Sequence, residues 1–215
     1  MEESRIRAEI VEVGRRLYAR GLIAANEGNL SVRDGDILYV TPAGVCKGFL
    51  EPGAIVKTDL AGRPLDPAAP TTEIPMHVAL YRRRPDIRGV VHAHPPTATG
   101  FAVAGIPLDR PVVAEAVVVL GRVPLVAYDT PASLELAEKV AEAAVDTDAV
   151  LLASHGATTV GNTLIRAWER METLEQVARV SLVARVLGRE GTLPLDAVYR
   201  LVGMRAADWI STTDG

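Results

Sequence analysis

The stretch TTEIPMHVALYRRRPDIRGVVHAHPP (71–96) places a helix directly before a strand that ends in two histidines. Two threonines, an acid and an early proline are typical of a helix N-terminus, so the sequence predicts a helix that runs to about Arg84. The segment 87–94 predicts a strand, which the next two prolines end. Because side chains alternate along a strand, His92 and His94 are expected on one face, at the rim of a sheet.

A third histidine follows a second apolar strand, predicted at 148–153. His155 comes directly after that strand and precedes Gly156. Three neutral imidazoles with an open fourth position are the ligand set of a catalytic zinc. The H-x-H pair favours a metal site. For His155 the residues alone leave two interpretations open, a ligand or a polar residue bonded to the backbone.

Glu73 is the candidate fourth partner of these histidines. It lies in the first turn of the predicted helix, where an acid is also a common favourable partner of the helix dipole. His77 is four residues further on the same helix face. We expect His77 to hydrogen-bond to a neighbour, with support of Glu73 as one possible role, rather than to bind the metal.

The rest of the chain alternates helices and strands. Further helices are predicted at 4–20, 97–104, 130–145 (with Thr130-Pro131 as the cap), 163–187 and 194–207, and further strands around Asp34-Gly35 and at 54–59, 111–120 and 123–128. Several strands follow one another without a crossover helix. This pattern predicts a layered α/β fold on a mixed sheet, with residues 1–215 as a single domain.

The composition excludes several classes of protein. The chain has 215 residues, 48% of them hydrophobic, with a formal charge of −4. That apolar fraction supports a folded core, and the mildly acidic balance argues against a nucleic-acid or membrane partner. The single cysteine, Cys46, excludes an internal disulfide framework. With no apolar leader and no apolar run of spanning length, we expect a cytoplasmic protein.

Three places in the sequence offer groups that bind anions. A helix N-terminus presents free backbone N–H groups, and two threonine hydroxyls precede the predicted helix. Two glycine-containing turns can also direct backbone amides into a cleft. Each of these signals is weak by itself, but together they predict a phosphate site beside the metal. The residues involved are Gly28, Asn29, Ala43, Gly44, Thr71 and Thr72.

Taken together, four stretches resemble the class II aldolase/adducin family, and within it most closely the L-fuculose-1-phosphate aldolases. They are GLIAANEGNLSVR (21–33), YVTPAG (39–44), TTEIPMHVALYRRRPDIRGVVHAHP (71–95) and LLASHGATTVG (151–161). The resemblance implies a three-layer α/β/α fold on a mixed, largely antiparallel sheet. It also implies a homotetramer with its active sites at subunit interfaces.

The resemblance further implies a chemistry for the site. One Zn²⁺ per subunit would be held by His92, His94 and His155. Glu73 would complete the coordination in the empty site and act as the base when substrate enters. The six anion-binding residues named above would form the phosphate pocket. The expected reaction is reversible cleavage of a ketose 1-phosphate, of the L-fuculose 1-phosphate type, to dihydroxyacetone phosphate and an aldehyde such as L-lactaldehyde. It would proceed through an enediolate stabilised by zinc.

The sequence departs from the family pattern in the half of the site that handles the aldehyde. Segment 110–121 lacks the tyrosine that the aldolases carry there, and Glu115 lies at about that place. An aromatic residue expected near Pro131 is also missing. The alternatives left open are a pentulose-phosphate 4-epimerase or a sugar-phosphate dehydratase on the same zinc site, a zinc hydrolase, and a non-enzymatic adducin-like module.

Overall fold

The computed structural model describes residues 2–211, and it describes side chains up to Met204. Within this part of the chain there are seven strands and six α-helices. The strands are β1 (Asn29–Asp34), β2 (Ile37–Val40), β3 (Val56–Asp59), β4 (Gly89–Ala93), β5 (Leu125–Val126), β6 (Ala149–Leu152) and β7 (Gly156–Gly161). The helices are α1 (Glu3–Ala19), α2 (Ile74–Arg83), α3 (Pro96–Val103), α4 (Leu134–Ala143), α5 (Leu164–Val186) and α6 (Leu195–Ser211).

The strands form one sheet in the order β3-β2-β1-β4-β7-β6-β5. Every neighbouring pair is antiparallel except β5 and β6, which are parallel. The prediction of a mixed, largely antiparallel sheet is therefore confirmed. The central strand β4 lies between β1 and β7, so its histidine-bearing end is flanked on both sides by main chain.

Helices cover both faces of this sheet. Along β4, Val91 packs into a cluster that includes residues of α1, α3 and α5, whereas Val90 packs into a second cluster with residues of α2 and α4. Successive strand side chains point to opposite faces, and β2, β4, β5, β6 and β7 each contribute to both clusters. The predicted three-layer α/β/α fold is confirmed.

The predicted strand at 111–120 is wrong. Ala116–Leu120 forms a short π-helix that ends at Gly121, whose φ is 70°. The run of valines has high strand propensity, but packing overrides it. Ala116, Val117 and Leu120 are buried on one side of this turn, and it contacts α5 and α6.

Several element boundaries also differ from the predictions. Helix α4 begins after Ser133, whose Oγ accepts the N–H of Leu136, and not at Thr130-Pro131. The strand predicted at 123–128 is reduced to Leu125–Val126. Helix α2 begins at Ile74, so that Glu73 directly precedes the first turn. None of the helices among the described residues is long and apolar enough to cross a membrane.

Candidate metal centre

The three histidines predicted as ligands come together at one end of the central strands. His92 lies in β4, His94 directly follows it, and His155 lies in the turn between β6 and β7. The pairing of Ala93 with Ala157 brings the two segments side by side. The ring centroids are 4.8–5.1 Å apart, and each residue offers a ligand atom within 4.8 Å of the others. The three side chains can therefore hold one metal ion.

The hydrogen bonds of His92 fix which of its nitrogens faces the centre. Nδ1 lies 3.0 Å from the carbonyl of Ala157, so it carries the proton and leaves Nε2 as the electron-pair donor. That Nε2 is 3.2 Å from Nε2 of His94. Two nitrogens on one tetrahedral zinc, at bonds of about 2.0–2.1 Å, stand roughly 3.3–3.4 Å apart. The observed separation fits a shared divalent cation.

Burial keeps the imidazoles of His92 and His155 in the neutral form that a ligand needs. His92 is fully buried, and burial lowers the pKa of its ring to about 3. Burial also lowers the pKa of His155. Nδ1 of His155 is buried and has no hydrogen-bond partner among the described residues. Nε2 of the same ring faces Glu73 at 3.4 Å from Oε1, which leaves that nitrogen directed into the site.

Glu73 lies against two of the three histidines. Its Oε2 is 3.3 Å from Nε2 of His92, and its Oε1 faces His155. Burial by itself opposes ionisation of this carboxyl. The neighbouring imidazoles and the Asn29 amide, which donates to Oε2 at 2.8 Å, outweigh that effect, and the pKa of Glu73 lies below its usual value. A carboxyl group with a lowered pKa thus faces the histidine cluster.

Gly156 allows the close approach of the two histidine segments. A Cβ at this position would lie 2.5 Å from Cδ2 of His94 and 2.6 Å from the carbonyl oxygen of Ala93. Both distances are far below a normal contact. The glycine after His155 is therefore required so that His94 can occupy its place in the cluster.

The structure brings together the three segments predicted to bind phosphate. Thr41 exchanges backbone hydrogen bonds with its neighbours, donating to Leu30 at 3.0 Å and accepting from Thr71 at 3.0 Å. Its side chain also accepts the N–H of Leu30. These bonds join the start of β1, which directly follows Gly28, to the loop after β2 and the loop before α2.

The six residues predicted to bind phosphate differ in their exposure and in their hydrogen bonds. Gly28, Asn29 and Thr71 are buried, whereas Ala43, Gly44 and Thr72 are exposed. The Asn29 side chain is committed to Glu73 and His77, and the Thr71 hydroxyl accepts the N–H of Glu73. The N–H of Ala43 donates weakly, at 3.4 Å, to the carbonyl of Ala69. A phosphate contact from Asn29 would therefore use its second amide hydrogen or its main chain.

Sequence analysis missed several residues that support the cluster. Oε2 of Glu27 lies 3.4 Å from Nδ1 of His94, and Thr158 Oγ1 lies 3.2 Å from Nδ1 of His92. The position of Glu27 directly before Gly28 was the only sequence signal for it. Thr158 depends on the register of β4 against β7, which the sequence does not reveal. The Lys47 ammonium, which is buried, donates to the Asn26 carbonyl at 2.7 Å in the loop before Gly28.

The segment that lacks the family tyrosine lies beside helix α5. Glu115 lines a cavity of about 690 Å³ together with residues of α5 and the end of α1. Arg20 and Glu172, which also line it, form an ion pair at 2.8 Å. This cavity is distinct from the histidine cluster, because none of the three histidines lines it.

The fold and the histidine cluster together define a class of protein. A model of the family described as "Class II Aldolase and Adducin N-terminal domain" matches residues 8–182. The chain belongs to this class II aldolase family, and the resemblance predicted from its motifs is confirmed.

Individual relatives in this family carry two different activities in their names. The chain is 35% identical over 175 residues to an L-fuculose phosphate aldolase of Methanococcus maripaludis, covering 81% of this chain and 95% of that protein. It is also 35% identical over 187 residues to a 3-oxo-tetronate 4-phosphate decarboxylase of Escherichia coli K12, covering 84% and 88%.

Solved structures of the family are similar over nearly the whole chain. An L-fuculose 1-phosphate aldolase superposes with a TM-score of 0.87 at 29% identity, covering 93% of this chain and 95% of that one. The L-fuculose-1-phosphate aldolase of Thermus thermophilus has a TM-score of 0.78 at 36% identity, covering 88% and 99%.

Proposed function

We propose that this chain is a metal-dependent lyase that reversibly cleaves a ketose 1-phosphate of the L-fuculose 1-phosphate type. The products would be dihydroxyacetone phosphate and an aldehyde such as L-lactaldehyde. The observation that carries the proposal is the contact of the Glu73 carboxyl group with Nε2 of two converging histidines. A largely buried base beside a cation site suits the removal of a proton next to a carbonyl group.

The donor set favours one Zn²⁺ per subunit. His92, His94 and His155 would hold it, and Glu73 would complete its coordination in the resting site. When bound, the cation acts as a Lewis acid that stabilises negative charge on substrate oxygens by several kcal/mol. The fit of the nitrogen–nitrogen separation and the neutral state of His92 support this assignment.

Glu73 would move the proton that the reaction requires. In the synthetic direction its carboxylate takes a proton from the hydroxymethyl carbon of dihydroxyacetone phosphate, and the electron pair shifts toward the neighbouring carbonyl. That carbon then attacks the carbonyl carbon of the aldehyde. A new carbon–carbon bond forms, the former aldehyde oxygen takes a proton from water, and Glu73 releases its proton to solvent. In the cleavage direction Glu73 returns its proton to the carbon.

The three joined loops would bind the phosphate of the donor. We assign this pocket to Gly28, Asn29, Ala43, Gly44, Thr71 and Thr72. Binding there would hold the carbonyl end of the donor toward Glu73, so that binding energy is used to orient the reacting carbon. The family resemblance also favours a homotetramer with active sites at the subunit interfaces, and we assign the protein to the cytoplasm.

A second candidate is decarboxylation of a 3-oxo acid phosphate. Two observations favour it: segment 110–121 has no tyrosine to serve the aldehyde oxygen, and one 35% identical relative is a 3-oxo-tetronate 4-phosphate decarboxylase. Loss of CO₂ from such a substrate leaves an electron pair on the carbon next to the ketone. Protonation of that carbon, with a proton that Glu73 first takes from water, gives dihydroxyacetone phosphate, and no acid is needed for the departing group.

Deuterium exchange tests the step that both candidates share. In D₂O, the zinc-loaded protein is expected to replace one hydrogen on the hydroxymethyl carbon of dihydroxyacetone phosphate with deuterium. NMR measures this exchange. The exchange should disappear after removal of the metal. Absence of exchange in the zinc-loaded protein would contradict the proposal.

Release of dihydroxyacetone phosphate then separates the two candidates. L-Fuculose 1-phosphate should release it if the chain is an aldolase, and 3-oxo-tetronate 4-phosphate should release it together with CO₂ if the chain is a decarboxylase. Epimerised pentulose phosphate without release of either product would instead identify an epimerase.

A further inference from the structure

A chain of buried polar side chains leads from helix α2 and strand β1 to Glu73. The Tyr81 hydroxyl lies 2.9 Å from Oγ of Ser31, which lies 2.6 Å from Nδ1 of His77. Nε2 of His77 is 2.5 Å from Oδ1 of Asn29, and Nδ2 of Asn29 donates to Oε2 of Glu73 at 2.8 Å. The side chains before Glu73 in this series are all less than 5% exposed. Their polar atoms must therefore form hydrogen bonds with protein groups rather than with water.

The donor and the acceptor of each hydrogen bond in this series follow from the bond between Asn29 and Glu73. The Asn29 amide nitrogen donates to Oε2 of Glu73, so the amide oxygen faces His77 and can only accept. His77 must then carry its proton on Nε2. Nδ1 accepts from the Ser31 hydroxyl, which in turn can accept from Tyr81. Burial lowers the pKa of His77 to about 4, and the ring is neutral at neutral pH as this arrangement requires.

This series of hydrogen bonds fixes the orientation of the Asn29 side-chain amide. A side-chain amide that turned by 180° would place its oxygen against Oε2 of Glu73 and lose the hydrogen bond. The N–H of His77 opposes that turn because it needs the amide oxygen as its acceptor. Oε1 of Glu73, by contrast, accepts no hydrogen bond from the described residues and faces His155 at 3.4 Å.

We propose that His77 is a positioning residue. Together with Ser31, it orients the Asn29 amide, and this amide holds Oε2 of Glu73. Oε1 of Glu73 is then the oxygen that exchanges a proton with substrate. The part of this inference that concerns substrate rests on the proposed function. The hydrogen-bond directions and the hold on Glu73 do not depend on any activity.

Nitrogen NMR tests the hydrogen-bond directions without reference to activity. The chain has only four histidines, so ¹⁵N-histidine labelling of the zinc-loaded protein gives few signals to assign. We expect His77 to be neutral with its proton on Nε2 between pH 6 and 8. A proton on Nδ1, or an imidazolium in this range, would overturn the proposal. In Ser31→Ala, where Nδ1 loses its donor, the Nε2-protonated form should no longer be the only one.

Two substitutions of His77 test the hold on Glu73. His77→Gln can keep an N–H toward Asn29, whereas His77→Leu cannot. We expect His77→Leu to lower kcat for deuterium exchange by about 10–100-fold with little change in KM, and to weaken zinc affinity by about tenfold or more. His77→Gln should recover most of both losses. The matched control is Leu80→Ala, which perturbs the same helix at another buried position and should leave both quantities nearly unchanged.

The outcomes separate this inference from the proposed function. If His77→Leu matches Leu80→Ala in zinc affinity and exchange, or if His77→Gln is as impaired as His77→Leu, the positioning role is wrong. If the parent protein catalyses no exchange, the proposed function fails, and the NMR result and the zinc affinities still decide the role of His77. If His77→Leu does not fold, Ser31→Ala takes its place in the same measurements.

Discussion

Oε2 of Glu73 lies 3.3 Å from Nε2 of His92, although the two residues belong to different elements, the start of α2 and the middle of the sheet. The contact arises because β1 pairs with β4, with Asn29 opposite His92, and the Asn29 amide bridges to Glu73. The carboxylate is thus placed at the histidine cluster by sheet register and by one amide.

The first prediction concerns Glu73 itself. Glu73→Gln keeps the size of the side chain and removes the charge and the basicity. Three imidazoles remain as ligands, so we expect the variant to retain one zinc per subunit. Deuterium exchange into dihydroxyacetone phosphate should fall by about 10²–10⁴-fold, the usual contribution of a positioned base. Metal analysis and exchange NMR on one preparation provide the check, and full exchange in the variant would remove Glu73 from the role of base.

The second prediction concerns Gly156, the glycine that lies against His94. In Gly156→Ala the new Cβ would overlap His94, so the imidazole has to move and zinc affinity should fall at least about tenfold. Gly53→Ala is the control, because a Cβ there meets nothing within 4 Å. Competition with a chelator of known affinity measures both variants. Equal zinc affinities of the two variants would contradict the prediction, because they would show that His94 can move away from position 156 without weakening the metal site.

The third prediction concerns acid stability. Burial lowers the pKa of His77 to about 4, against about 6.5 in an unfolded chain. A depressed pKa in the folded state means that stability is present above pH 6.5 and is lost as the pH falls toward 4. In metal-free protein, we expect the parent to lose about 3 kcal/mol more unfolding free energy than His77→Gln between pH 7 and pH 4. Denaturant titrations at each pH measure this, and parallel curves for the two proteins would refute it.

The fourth prediction concerns a buried ion pair far from the loops of the site. Nη2 of Arg84 lies 2.9 Å from Oδ1 of Asp148, and both side chains are less than 10% exposed. Asp148→Asn should cost about 3 kcal/mol of unfolding free energy, because the buried Arg84 guanidinium loses one of its two carboxylate partners. The exposed pair of Arg200 and Asp196 is the contrast, and Asp196→Asn should change stability little. Similar losses in the two variants would mean that burial of the pair is unimportant.

Much of the fold was predictable because its signals are local. Helix α1 and the hairpin at Asp34-Gly35 follow from periodicity and turn residues, and the H-x-H pair marks the end of β4. The π-helix at Ala116–Leu120 was not predictable, because a valine-rich run favours a strand and only packing against α5 and α6 overrides it.

The site was predictable to the extent that its residues have distinctive chemistry. His92, His94 and Glu73 stand out by type and spacing, and they meet in the structure as expected. The residues that fix their orientation do not stand out. Ser31 and Thr158 are ordinary polar residues in strands, and their contacts with histidines depend on strand register and on how α2 packs against the sheet. No short-range pattern encodes those relationships.

The central claim is that three histidines hold one divalent metal ion beside Glu73. Anomalous diffraction from crystals of zinc-loaded protein, recorded above and below the zinc edge, tests it directly. We expect one peak per subunit, about 2.0–2.1 Å from Nε2 of His92, His94 and His155. A zinc-loaded crystal with no peak within bonding distance of all three nitrogens would contradict the account.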